Sequence, residues 1–79
     1  MSIQQRGTIL SIRVERNFGF ITPEDPARRG EEIFFHKSAV LPSTGGWDAL
    51  IPGDTVTYRE DFSKKGARAT KVTKVEDPS

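Results

Sequence analysis

Cysteine is absent from this chain of 79 residues, and histidine, tryptophan, tyrosine and methionine each occur once. Without cysteine there is no disulfide and no thiolate metal site, and a reducing compartment is permitted. The lone His36 has no second imidazole with which to share a metal ion. No serine or cysteine nucleophile motif surrounds it, so triad chemistry is not expected either. Phosphate-binding loops and hydrolase signatures are also missing, and the expectation is a non-enzyme with no cofactor and no small-molecule substrate. No apolar run approaches the length of a membrane span, and Met1 to Arg6 lack the hydrophobic core of a signal peptide. A cytoplasmic monomer without a membrane partner is the expectation. A large charge excess is lacking too: 12 basic residues face 11 acidic ones, which argues for modest rather than strong binding to a polyanion.

What remains is one domain, 1–79, with its core at about 7–75. That length is near the lower limit for a chain that folds without crosslink or metal. Acids gather at Glu24-Asp25, Glu31-Glu32 and Glu60-Asp61. Bases gather at Arg13/Arg16, Arg28-Arg29, Lys64-Lys65 with Arg68, and Lys71/Lys74. Segregation of this kind can produce a basic face on a nearly neutral protein.

The informative segments are Asn17-Phe18-Gly19-Phe20-Ile21 and Ile33-Phe34-Phe35-His36. As strands, each sorts its side chains by parity: Phe18, Phe20, Phe34 and His36 share one face, while Ile21, Ile33 and Phe35 share the other. If the two strands pair, the aliphatic face becomes core and three phenylalanines and a histidine face solvent. Such a patch on a small protein calls for a partner, and flat rings flanked by cations suit unstacked nucleobases.

Three further strands complete the pattern. Gly7–Val14 alternates with Leu10, Ile12 and Val14 on one face, and Ile9 marks a bulge or strong twist where it breaks the alternation. Thr55–Arg59 places Val56 and Tyr58 together, and Arg68–Val75 carries Val72. Pro23–Gly30 is a loop, Lys37–Val40 a single helical turn, and Leu41–Gly53 a long connection holding Trp47, Leu50 and Ile51. Five short strands with almost no helix must hide their edges. The predicted fold is all-β, a five-stranded antiparallel Greek-key barrel of the OB type, which binds single strands across strands two and three.

Gly7-Thr8-Ile9, Asn17–Pro23, Ile33–Val40 and Pro52–Val56 resemble the cold-shock domain in order and spacing, and the resemblance covers about Gly7 to Val75. The resemblance implies a barrel that binds single-stranded RNA and DNA with little sequence specificity, many members acting as RNA chaperones. Carried over by position, Phe18, Phe20, Phe34 and His36 match the stacking residues. Trp47 matches an aromatic of the long loop, and Lys65 a basic residue before the last hairpin's glycine. The chain departs from the pattern where bacterial members have Lys-Trp-Phe, here Leu10-Ser11-Ile12, and where an aromatic follows the histidine, here Lys37. The loop Pro23–Glu31 is also longer than usual and carries Arg28-Arg29. Each missing stack removes about 1–3 kcal/mol of affinity, which Arg13, Arg16 and Lys37 offset in part through phosphate contacts.

Each assignment has a plainer counterpart. Phe18, Phe20 and Phe34 would be core in most settings, but their parity places them outside, whereas Phe35 and Tyr58 are expected inside. His36 is assigned to stacking or hydrogen bonding rather than a purely structural role. Trp47 either staples the long loop or projects as a stacking arm, and is assigned to binding. Arg28 and Arg29 are expected to be neutralised by Glu24, Asp25 and Glu31. The alternative functions are a protein-interaction module and a ribosome-associated OB-fold factor using the same patch.

Overall fold

The computed structural model describes residues 4–42, 45–64 and 66–75. Lys65, assigned above to binding, lies outside them. Five strands, β1 (Gln4–Arg13), β2 (Phe18–Pro23), β3 (Ile33–His36), β4 (Thr55–Ser63) and β5 (Gly66–Lys74), close into a barrel in the order β1-β2-β3-β5-β4. All seams are antiparallel except β3–β5, where Phe34 pairs with Arg68 in parallel. The five-stranded antiparallel Greek-key barrel expected from the sequence is the fold found, and its one parallel seam has a geometric reason. Strand directions cannot alternate all the way round a closed ring with an odd number of members. Among the described residues, no helix is long and apolar enough to cross a membrane.

The barrel interior is filled by Ile9, Ile21, Ile33, Phe35, Leu50, Val56, Tyr58, Ala69 and Val72, all buried. All but Leu50 come from strands, and on β2 and β3 the inward parity makes the aliphatic face core, as the alternation requires. Two glycines make this packing possible. A Cβ at Gly19 would stand 2.8 Å from the Phe35 ring and 2.7 Å from the Ser11 carbonyl oxygen. One at Gly7 would stand 2.6 Å from the Ile21 side chain. The glycine between Phe18 and Phe20 therefore lets the largest core ring of β3 lie directly beneath β2.

The inward set of β1 differs from the expected one. Ile9 pairs with Ile21, but the next pair is Ser11 with Phe20, so Leu10 is the extra residue of a bulge. The bulge resets the parity. Ile9 goes into the core, Leu10 is 48% exposed, and Ile12 packs partly against the core. Val14, expected inside, is 68% exposed because β1 has ended and Val14–Arg16 forms a 3-10 turn. Asn17 closes that turn in the left-handed region (φ 62°), and its carbonyl accepts the Lys37 N–H at 2.7 Å, tying β2 to the end of β3. A second bulge lies on β5 between the pairs Thr57–Thr73 and Arg59–Thr70, where Lys71 takes φ 50°.

The loop between β2 and β3 has a structural role. Asp25 accepts the Ala27 N–H at 2.9 Å and caps a 3-10 turn, Pro26–Arg28. The turn presents Arg28 to two carboxylates, Glu31 at 2.8 Å and Glu60 on β4. Glu60 follows the inward parity of Val56 and Tyr58, so this pair shuts one end of the barrel.

Candidate nucleic-acid interface

On the outer surface the strand register aligns side chains in two adjacent rows. In the first, Ser11 stands opposite Phe20, Phe20 opposite Phe34, Phe34 beside Arg68, and Arg68 opposite Asp61. In the second, Arg13 stands opposite Phe18 and Phe18 opposite His36. The alternation of β2 and β3 is why Phe18, Phe20, Phe34 and His36 share a face, because their inward neighbours are pinned by the core.

The three phenylalanines form one cluster. Phe18 and Phe34 have centroids 5.4 Å apart with planes tilted by 37°, while Phe18–Phe20 and Phe20–Phe34 meet nearly edge to face at 5.7 and 6.1 Å. These contacts hold the rings in place at favourable quadrupole geometry. Phe34 remains 37% exposed and Phe18 and Phe20 half-exposed, so ring surface is still open above the cluster.

His36 is oriented by its own turn. Its Nδ1 accepts the backbone N–H of Ser38 at 3.0 Å and lies 2.9 Å from the Ser38 hydroxyl. With Nδ1 an acceptor, the neutral imidazole carries its proton on Nε2, which is left to donate outward. The ring is exposed and flanks Phe18 by register.

The cations fall into two groups. Arg13, Arg16 and Lys37 are exposed at the rim of the phenylalanine rows and form no ion pair among the described residues. Among the other bases, Arg6 pairs with Glu24 at 3.3 Å, Lys74 with Asp54 at 3.4 Å, and Arg28 with Glu31 and Glu60. Arg28 donates through Nε and Nη2 to Glu31 (3.1 and 2.8 Å) and through Nη1 and Nη2 to Glu60. Its hydrogen bonds to Glu60 and then Glu31 push its pKa upward, and the bond from Arg28 holds the Glu31 carboxyl below the usual carboxylate range. Under the same barrel end, burial and then the Glu60 charge push Tyr58 up to about 12.

Trp47 is located differently from the other assigned residues. Its ring meets Phe35 at 6.0 Å, with planes at 63°, and packs partly buried against the core. It opens a 3-10 turn, Trp47–Ala49, that delivers Leu50 to the core. That is the staple geometry, and no ring of the phenylalanine cluster touches it among the described contacts. Arg13, Phe18, Phe20, Phe34, His36 and Lys37 are brought to one surface, with Arg16 in the adjoining turn.

Three features escape sequence reasoning. Arg68 reaches the first row because β5 pairs β3 in parallel, a register that no local pattern encodes. Phe62 is 74% exposed although its parity is inward, because β4 and β5 run on past the barrel end. The Arg28–Glu60 pair spans loop and strand 32 positions apart. Only the His36–Ser38 bond had a local signal, in the His-x-Ser spacing.

Known proteins give an independent view of the same chain. The family model for the "Cold-shock" DNA-binding domain matches residues 5–75. Cold shock protein 2 of Lactiplantibacillus plantarum is 38% identical over 68 residues, covering 86% of this chain and 94% of that protein. Cold shock protein CapA of Pseudomonas fragi is 35% identical over 69 residues, covering 87% of this chain and 100% of that one. Among solved structures, the drosophila Unr CSD456 superposes with a TM-score of 0.73 at 22% identity, a likeness of fold. It covers 98% of this chain, which spans only 29% of that larger structure. With a matched family model over nearly all of its length and relatives covered almost end to end, the chain belongs to the cold-shock DNA-binding domain family.

Proposed function

We propose that the chain binds single-stranded RNA, and single-stranded DNA as well, by stacking unpaired bases on Phe18, Phe20, Phe34 and His36, without chemistry on the nucleic acid. Arg13, Arg16 and Lys37 lie where they would meet the phosphates. The observation that carries this reading is the alignment of three clustered rings and an oriented imidazole on one open sheet face, rimmed by cations that form no ion pair among the described residues. The description of the matched family, a "Cold-shock" DNA-binding domain, supports nucleic-acid binding. The role that follows is that of an RNA chaperone: bases held on the protein are withdrawn from competing hairpins, so no nucleotide hydrolysis is needed.

Ser11 stands opposite Phe20, in the segment where bacterial members carry an aromatic run, and offers no ring. The surface is therefore smaller, and affinity rests more on the phosphate contacts. Trp47, seated on Phe35, acts as a staple for the long connection.

Titration of a fluorescent uridine heptamer tests the reading. Phe18→Ala and Phe34→Ala are each expected to lower affinity by at least about fivefold, from about 1–3 kcal/mol per lost stack, with circular dichroism unchanged. Undiminished affinity in both folded variants would sink the proposal.

A further inference from the structure

Between β3 and β5 the sheet opens into a cleft of about 280 Å³, and we propose that this cleft seats a guanine whose edge is read by Arg68. The proposal rests on the single-strand reading above and deepens it, since the cleft continues the first row of the platform. Phe34, His36 and Ser38 line one side, Arg68 and Thr70 the other.

The cleft exists because of the parallel seam. β3 and β5 share one registered pair, Phe34 with Arg68, after which β3 ends at His36 and turns into the 3-10 turn Lys37–Ala39. β5 continues through Thr70, so the two strands part beside the exposed rim of Phe34. A base lying against Phe34 therefore has its edge directed at the neighbouring strand position, which is Arg68.

The polar groups around this opening are mainly donors. Arg68 offers a guanidinium with paired N–H groups, and His36 offers Nε2–H because its Nδ1 is occupied by Ser38. Thr70 donates its hydroxyl proton to the Arg59 carbonyl at 3.3 Å, so toward any further partner its oxygen serves as an acceptor. Two parallel N–H donors match two adjacent acceptors. Guanine presents such a pair in O6 beside N7, and cytosine in N3 beside O2, while adenine sets a donor beside its N7 and uracil separates its carbonyls by N3–H. Guanine adds two donor groups, N1–H and the N2 amino group, for the acceptor side of the cleft, where cytosine has only its N4 amino group. The lone pairs on Thr70 suit the donors on guanine's other edge.

A phosphate is a poorer occupant for Arg68 than a base. Asp61 stands opposite it in register, with the carboxylate 3.9 Å from Nη2. An anionic phosphate drawn to Arg68 would also face that carboxylate, whereas a neutral base would not. The long, exposed ion pair leaves the guanidinium available while orienting it along the row. Arg13, Arg16 and Lys37 form no ion pair among the described residues, which separates reading from backbone contact.

Fluorescence anisotropy with a uridine heptamer and with heptamers carrying one guanosine at each successive position tests this. The native protein is expected to bind one guanosine-containing strand at least about fivefold more tightly than the all-uridine strand. In Arg68→Gln this ratio falls to near one, and in Arg68→Lys, which cannot reproduce the planar fork, it falls part of the way. A ratio of one in the native protein overturns the proposal. So does an Arg68→Gln variant that keeps the ratio while weakening both strands equally, the mark of a phosphate contact. If the native protein binds no strand at all, the single-strand reading falls, and this inference with it. If uridine binding persists without guanosine preference, only this inference falls.

Discussion

Arg28 and Arg13 sit at opposite extremes of the same nearly neutral molecule. Arg28 is only 22% exposed and is held by two carboxylates, one of them on β4, where it ties the β2–β3 loop to the barrel end. Arg13 projects from β1 beside Phe18 with no ion pair among the described residues, as do Arg16 and Lys37 nearby. One end of the barrel has spent its charge on its own structure, and one face has kept it. The net charge of the chain therefore says little about binding, because Glu31 and Glu60 are held by Arg28, Glu24 by Arg6 and Asp54 by Lys74, rather than by Arg13, Arg16 or Lys37.

That contrast can be broken by exchanging the effects of mutation at the two places. The largest effect is expected on the open face. Removing both Phe18 and Phe34, as the double alanine variant, takes away two stacking surfaces and lowers affinity by more than either alone, toward a loss on the order of 100-fold. Thermal unfolding should change little, since both rings lie outside the core. Near-native binding by this variant in an anisotropy titration would remove the distinction between the two regions.

At the closed end, Arg28→Ala is expected to cost about 2 kcal/mol of stability, between the values for exposed and buried pairs, because Glu60 is left 10% exposed without its partner. Urea unfolding measures this, and the affinity of the folded variant for a uridine strand should stay close to native. Arg13→Ala and Lys37→Ala should do the reverse: leave stability alone, weaken binding a few-fold, and reduce the salt slope by about 0.7 each, the single-strand value per phosphate contact. A slope unchanged in both variants would deny them phosphate contacts.

Much of the open face was legible from alternation alone. Phe18, Phe20, Phe34 and His36 follow a strict period of two in short, unbulged strands, so parity decides their side, and Phe35 is placed inside by the same rule. β1 obeys the rule only up to its bulge. Once Leu10 is inserted, the expected inward set moves, and Ile9 rather than Leu10 reaches the core. The full reach of β4 and β5 was hidden because polar residues such as Arg59, Glu60 and Thr70 carry no inward or outward signal. Arg28's partner on β4 and Arg68's neighbour on β3 depend on how the barrel closes, which is a property of the whole ring. Trp47 had two consistent readings because a glycine-flanked aromatic can pack or project, and its contact with Phe35 depends on how the barrel closes.

The smallest effects concern pH. Glu31 has its folded pKa depressed by the Arg28 hydrogen bond, so the stability it contributes is present above the ordinary carboxylate value and is lost as pH falls through the lower folded value. Arg28→Ala should flatten that acid-side dependence in a comparison of urea midpoints. Tyr58 behaves with the opposite sign. Its folded value is pushed up to about 12, so its contribution is complete below the ordinary phenol value and disappears as pH rises through about 12. Tyr58→Phe should remove that alkaline step.

The central claim is that single strands occupy the face carrying Phe18, Phe20, Phe34 and His36, away from the Arg28–Glu60 end. Backbone amide NMR during titration with a uridine heptamer tests it most directly. Shift changes concentrated on β2, β3 and the turn at Lys37–Ala39, with Arg28, Glu31 and Glu60 unmoved, are the predicted result. Changes centred on the Arg28 loop and β4, with the phenylalanine strands silent, would contradict it.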